Sequence, residues 1–286
     1  MGNILITASH FQTLCQDAIR LLEDNGHHVI LNDHDMPYYS FEELAVWAPD
    51  IQGAIIGMDQ WNEQVFQIAP KLKILARFGV GVDNVDLEAA KRHGVQVVNA
   101  AGLNANAVAE LGVAMILNCL RSIPQLNQKL DQGEWARAVG KEILGKTVGI
   151  LGFGDIGGRV AKKLSGMGVE LLAYDPYPNE AKARDLHVTL TDMDTVLAKS
   201  DVISIHMPSI PATRHIMDRA AFAKMKQGAY FINTARGALV DTQALIDAVT
   251  GGHLAGAALD VYEQEPLPMD APILHTPGIQ CTPHTG

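Results

Sequence analysis

The chain has 286 residues, a formal net charge of −10, and 48% hydrophobic against 19% charged residues. That length accommodates two domains of ordinary size, and the composition excludes disordered and fibrous classes. The acidic balance, unbroken by any run of Lys and Arg, argues against non-specific binding to nucleic acid phosphates.

Residues 1–8 lack a basic region followed by a long apolar stretch, so no secretion signal is expected and their apolar run reads as a first strand. No stretch supplies the roughly 20 uninterrupted apolar residues of a membrane span. Cys15, Cys119 and Cys281 are odd in number and widely separated, without metal-ligand spacing. They read as reduced thiols, which makes a cytoplasmic protein without a metal the expectation.

Apolar runs of strand length recur at residues 4–7, 28–31, 54–57, 74–76 and 95–98. Between them, residues 11–23 place Phe11, Leu14, Cys15, Ala18, Ile19 and Leu22 at helical spacing before Asn25-Gly26, and residues 87–92 form a shorter helical run closed by Gly94. Such alternation predicts a parallel sheet covered by helices. We therefore expect a first, substrate-binding domain over residues 1–99 and a second, nucleotide-binding domain over residues 100–286. Residues 105–120, apolar and free of Pro, predict a connecting helix. Residues 127–141 are more polar and predict a protruding helical segment, in which Trp135 either packs on a second subunit or lies over its own domain.

The next motif is the most informative. The apolar run at residues 147–151 leads into Gly152-Phe153-Gly154-Asp155-Ile156-Gly157, followed by a helical stretch at 159–164. An acidic residue, Asp175, closes the following apolar run at 170–174. A strand turning sharply into a helix needs Gly152 for the bend, Gly154 for close approach to a pyrophosphate, and Gly157 for helix–strand packing. First-turn amides then face the phosphates. A carboxylate at Asp175 accepts hydrogen bonds from a ribose 2′-hydroxyl and repels a 2′-phosphate, which favours NAD over NADP. Further strands are expected at 202–206, 229–233 and 255–260.

In an open α/β sheet, ligands sit beyond the carboxyl ends of strands. Polar residues gather there: Thr234-Ala235-Arg236-Gly237, Asp260, Glu265, and His284 just past residues 279–281. A hydride-transferring cofactor needs a protein group to move the matching proton and another to orient the substrate. His284 has the chemistry for the first task, with Glu265 fixing its tautomer. Arg236 can clamp a carboxylate through two parallel hydrogen bonds and polarise the adjacent carbonyl. Singly, each of these residues is of a kind that ordinarily faces solvent. Jointly they describe a 2-oxo acid reductase site.

With these words in order, the chain resembles the D-isomer-specific 2-hydroxyacid dehydrogenase family, above all its phosphoglycerate-dehydrogenase-type branch. The matching stretches are 78–86, 106–110, the glycine motif with Asp175, His206-Met207-Pro208, 233–237, 259–266 and Thr282-Pro283-His284. The resemblance implies two α/β lobes, each a mostly parallel sheet with flanking helices, the first flavodoxin-like and the second a Rossmann dinucleotide-binding domain. It also implies a cleft between lobes that close on binding, and homodimers formed through the NAD-binding domain. Arg236, Glu265 and His284 are then catalytic, and amides around Val80 and Gly81 hold the substrate carboxylate. Asp260 contacts the nicotinamide carboxamide, and the Asp155 and Ile156 amides meet the pyrophosphate. His206, Pro208 and Thr213 line the adenosine side, while Thr234 and Ala235 lie near the nicotinamide. The D stereochemistry comes from this likeness alone. Formate dehydrogenases of the same superfamily carry Gln where this chain has Glu265.

Two departures shape the expectations. Where phosphoglycerate dehydrogenases present an Arg-Ser pair, this chain reads Gly57-Met58-Asp59-Gln60-Trp61. Asp59 is expected to repel a phosphate, which favours glyoxylate, hydroxypyruvate or pyruvate over 3-phosphoglycerate, the alternative substrate that would place the protein in serine biosynthesis. Secondly, relatives continue past the catalytic His with a helix, whereas this sequence stops two residues after His284, by truncation or for another reason, and a poorly anchored His284 is expected. A competing reading is an NAD-sensing, corepressor-like interaction protein, which an intact Arg, Glu and His set argues against.

Overall fold

The computed structural model describes residues 1–32 and 38–286, and these divide into two compact units, Met1–Asn104 and Ala105–Gly286. The first unit runs β1 (Asn3–Ile6), α1 (Phe11–Leu14), α2 (Gln16–Asp24), β2 (His28–Leu31), α3 (Phe41–Trp47), β3 (Ile51–Ile56), α4 (Glu63–Ile68), β4 (Ile74–Arg77), α5 (Leu87–Arg92) and β5 (Gln96–Asn99). Its five strands pair in parallel in the order β2-β1-β3-β4-β5, the flavodoxin-like arrangement. The core holds Leu5, Ile56, Trp61, Phe66 and Leu75, all at most 1% exposed. Side chains of this kind each contribute about 2–3 kcal/mol when fully buried.

The second unit contains α6 (Ala105–Arg121), α7 (Ile123–Asp131), β6 (Thr147–Leu151), α8 (Asp155–Leu164), β7 (Glu170–Tyr174), α9 (Glu180–Asp185), β8 (Thr189–Leu190), α10 (Met193–Lys199) and β9 (Val202–Ile205). It continues with α11 (Arg219–Lys224), β10 (Ala229–Asn233), α12 (Thr242–Thr250), β11 (Leu254–Leu259) and β12 (Ile279–Cys281). The all-parallel sheet has the order β12-β11-β10-β9-β6-β7-β8, so chain order reverses between β6 and β9. That reversal is a Rossmann switch point, where a crevice opens at the carboxyl ends of the strands. Helices cover both faces, which is why β6 and β9 are almost wholly apolar rather than alternating.

Capping chemistry fixes where many helices begin. Ser40 and Glu43 form a reciprocal capping box on α3, and the side chains of Asn62, Asp86, Asp192, Asp218 and Asp241 accept first-turn amides of α4, α5, α10, α11 and α12. The structure departs from the sequence expectations in two places. The helix expected over residues 11–23 is broken at Cys15, whose φ of −122° and ψ of 39° lie outside the helical region. The connecting helix falls where it is expected, over Ala105–Arg121, and the two units divide at its start. The segment expected to be helical over 127–141 stops at Asp131, where Gly133 takes up a left-handed φ of 80° and ends the helix. Trp135 lies beyond it and is 88% exposed, so it does not cover its own domain.

Candidate active site

The glycine loop joins β6 to α8 at the switch point. Gly152 has φ +95°, and a Cβ there would stand 2.7 Å from the carbonyl carbon of His206, just past the end of β9. Any side chain at Gly157 would meet the Gly152 carbonyl oxygen at 2.1 Å, so close strand–helix packing requires its absence. Gly154, by contrast, has open space where a Cβ would stand. Asp175 closes the loop from the side: its carboxylate accepts the Phe153 and Tyr177 amides, each at 2.8 Å. An ionised carboxylate offers about four acceptor positions, so acceptor capacity remains for hydroxyls.

Opposite this loop, the strand ends carry polar groups with unused capacity. Burial pushes the His206 imidazolium down to about 4, so the ring is neutral near neutral pH. Its Nε2 lies 2.9 Å from Ser204 Oγ, while its buried Nδ1 and the buried Thr234 Oγ1 have no hydrogen-bond partner among the described residues. Thr213 Oγ1 donates to the Pro208 carbonyl at 2.7 Å and accepts from the Ile210 amide at 3.0 Å, which fixes the loop after β9. Ala235 is buried beside Thr234. Buried polar groups normally find partners, so orphans at strand ends mark a place where a ligand supplies them. Open space at Gly154, the first-turn amides of Asp155 and Ile156, and these orphaned atoms together fit an NAD molecule.

The remaining groups follow three adjacent strands. After β10, Asn233 Nδ2 donates to the Arg236 carbonyl and Asn233 Oδ1 accepts the Ala235 amide, both at 2.9 Å, so the backbone carrying Arg236 is held in a fixed turn. Gly237 abuts the next loop, since a Cβ there would lie 1.9 Å from the Tyr262 carbonyl carbon. In that loop, after β11, Glu265 Oε1 accepts the Tyr262 amide at 2.8 Å and Oε2 lies 2.5 Å from His284 Nδ1. A carboxylate on Nδ1 holds a proton there and leaves Nε2 as the exchangeable nitrogen.

His284 follows β12, and the expectation that it is poorly anchored is overturned. Its amide donates to the Asp260 carbonyl at 2.9 Å. The Asp260 carboxylate, 1% exposed, gathers the Thr282 hydroxyl at 2.5 Å and the Thr285 and Gly286 amides at 2.9 and 3.0 Å. Tyr262 adds its hydroxyl to the Thr282 carbonyl at 2.8 Å. These bonds hold His284 in a left-handed conformation, φ 53°, that a non-glycine residue adopts only when its surroundings impose it. Asp260, Tyr262 and Thr282 form this clasp, a role that residue type alone did not signal.

Val80 and Gly81 lie in the first unit, in the loop after β4, where Asn99 Nδ2 donates to the Val80 carbonyl at 2.6 Å. Asp59 corrects a second expectation. It is fully buried, and its carboxylate accepts the Thr7 hydroxyl, the Tyr39 amide and the Gly57 amide, so it binds the ends of β1 and β3 together rather than facing a substrate. Desolvation holds its carboxyl above the usual carboxylate range, with those hydrogen bonds pulling the other way.

A parallel sheet with a glycine loop at its switch point, an acid closing the loop, and Arg, Glu and His groups on neighbouring strand ends define an NAD-binding domain of the dehydrogenase class. Residues 113–286 match the family model of the D-isomer specific 2-hydroxyacid dehydrogenase, NAD binding domain, and the chain belongs to that family. It is 37% identical over 279 residues to a hydroxypyruvate reductase of Thermotoga maritima, covering 96% of this chain and 89% of that protein. A D-3-phosphoglycerate dehydrogenase of Archaeoglobus fulgidus is 39% identical over 276 residues, covering 96% of this chain and 52% of that one. The chain thus spans about half the length of the phosphoglycerate dehydrogenases it matches. Among solved structures, the TT0316 protein of Thermus thermophilus superposes with a TM-score of 0.89 at 33% identity, covering 99% of this chain and 89% of that one.

Proposed function

We propose that this protein is an NAD-dependent oxidoreductase that interconverts a small D-2-hydroxy acid and its 2-oxo acid. The observation that carries the reading is the Glu265–His284 pair, 2.5 Å apart, joining the segments after β11 and β12, with Arg236 after β10, the strand beside β11. Bound NAD supplies the hydride chemistry. Arg236 clamps the substrate carboxylate and draws electron density from the adjacent carbonyl. His284 gives a proton from Nε2 to the carbonyl oxygen in reduction and takes the hydroxyl proton in oxidation. Glu265 holds the ring and balances its charge when both nitrogens are protonated. Asp175 receives the ribose hydroxyls, His206, Pro208 and Thr213 border the adenosine, Thr234 and Ala235 border the nicotinamide, and Asp260 borders its carboxamide. In this reading residues 1–99 form the substrate domain and residues 100–286 the NAD-binding domain, in a cytoplasmic homodimer paired through the latter; exposed Ile123, Leu130 and Trp135 supply apolar surface for such pairing.

A non-phosphorylated acid such as hydroxypyruvate, glyoxylate or pyruvate is favoured. Its support is the loop at residues 57–61, which carries no cation to receive a phosphate, together with the hydroxypyruvate reductase relative. The phosphoglycerate dehydrogenase relatives favour a second reading, 3-phosphoglycerate as substrate. NADH consumption with hydroxypyruvate, glyoxylate, pyruvate and 3-phosphonooxypyruvate separates the two. Turnover led by a non-phosphorylated acid is expected. A preference for the phosphorylated acid would establish the second reading, and no turnover of any 2-oxo acid would overturn both.

A further inference from the structure

The glycine motif is followed by one more glycine, Gly158, and its reason lies elsewhere in the chain. A Cβ at Gly158 would fall 2.1 Å from Lys182 Cε and 2.3 Å from Lys182 Nζ. Lys182 belongs to α9 and reaches back across α8, so the missing side chain is what admits its stem. Its ammonium donates to the Gly154 carbonyl, lies 3.4 Å from the Phe153 carbonyl oxygen, and sits 5.0 Å from the centre of the Phe153 ring. Both carbonyls belong to the glycine loop itself.

The charges around that loop give this contact a purpose. Two acids stand beside the place a pyrophosphate occupies: Asp155 in the first turn of α8, and Asp175 at the end of β7. Either carboxylate repels a doubly charged pyrophosphate. Arg159 answers only the first, with Nε 2.9 Å from Asp155 Oδ1. Lys182 brings a cation onto the loop. Desolvation lowers the pKa of its ammonium, and the two acids that oppose the pyrophosphate both pull it back towards the charged form.

We propose that Lys182 is a positioning residue for the cofactor: it bonds the carbonyls of the glycine loop, fixing the peptide planes whose amides face the pyrophosphate, and offsets the charge of Asp155 and Asp175. Gly158 serves this arrangement by leaving room for the lysine stem. The inference rests on the NAD-binding reading and adds to it a group outside the motif.

NADH titration followed by fluorescence tests it, with the wild-type protein, Lys182→Met and Gly158→Ala. Lys182→Met keeps an apolar stem and removes the charge. Gly158→Ala replaces a helix glycine by a better helix former, so the helix is not put at risk, while its methyl displaces the lysine end. Each variant is expected to weaken NADH binding about tenfold at low salt, and the dependence of Kd on ionic strength should flatten because one attractive charge is gone. In a Lys182→Met background, Gly158→Ala should then add less than about twofold, as residues sharing one contact are not additive. Lys182→Met that binds NADH within about twofold of wild type, with an unchanged salt dependence, overturns the role of Lys182 and leaves the NAD reading standing. A wild-type protein that binds no NADH overturns both.

Discussion

Two buried aspartates, Asp59 in the first unit and Asp260 in the second, stand at the same kind of place and serve different ends. Each follows a parallel strand, each is at most 1% exposed, and each carboxylate collects a threonine hydroxyl and two backbone amides, to which Asp260 adds the Thr285 hydroxyl. Asp59 draws together the ends of β1 and β3 and the backbone of Tyr39, none of which carries a catalytic group. Asp260 draws in Thr282, Thr285 and Gly286, the residues on either side of His284. A carboxylate clasp is a mechanical device, and its consequence for chemistry depends on what the clasped segment carries.

Substitution should separate the two. Asp260→Ala leaves the Thr285 and Gly286 amides without an acceptor and frees the segment that holds His284. A misplacement of about 1 Å costs a catalytic group about a hundredfold in rate, so kcat should fall by at least about that factor. Steady-state kinetics beside a thermal melt decide the matter: a variant that turns over at the wild-type rate would break the comparison, because Asp260 would then be scaffold like Asp59. Asp59→Ala should act on stability instead. Orphaning the Gly57 and Tyr39 amides is expected to cost about 2 kcal/mol in urea unfolding, with kcat changed less than about twofold. Because burial raises the folded-state pKa of Asp59, the stabilisation it provides is greatest in acid and declines as pH rises through that value. The penalty of Asp59→Ala should therefore be larger at acid pH than at neutral pH. A penalty that grows with pH would contradict this, because the ionised carboxylate would then be the stabilising form.

The same contrast explains what the sequence made legible. The glycine loop, Asp175, Arg236, Glu265 and His284 stand in short words immediately after apolar runs, and parallel strands send such words to one edge of the sheet. Strand positions in both units were readable for the same reason, as buried parallel strands are continuous apolar runs. Long-range partnerships were not. Asp59 reads as an exposed loop acid until Thr7, 52 positions away, and Tyr39, 20 positions away, close over it. Lys182, 28 positions from Gly154, carries no local mark of its contact with the glycine loop. Nothing in the apolar spacing of residues 11–23 marked the break at Cys15, and the end of α7 turned on Gly133, a signal weaker than the run of polar residues beyond it. His284 looked loosely held because its anchors lie on Asp260 and Tyr262, not beside it in the chain.

In the proposed function His284, held by Glu265 and by the Asp260 clasp, moves the substrate proton. The most direct test of this role is His284→Asn, measured for kcat across pH with the best 2-oxo acid and, separately, for NADH affinity. A loss of about a thousandfold in kcat, disappearance of the pH-dependent limb, and an NADH Kd within about twofold of wild type are expected. A variant that keeps kcat within about threefold and retains the wild-type pH profile would contradict it.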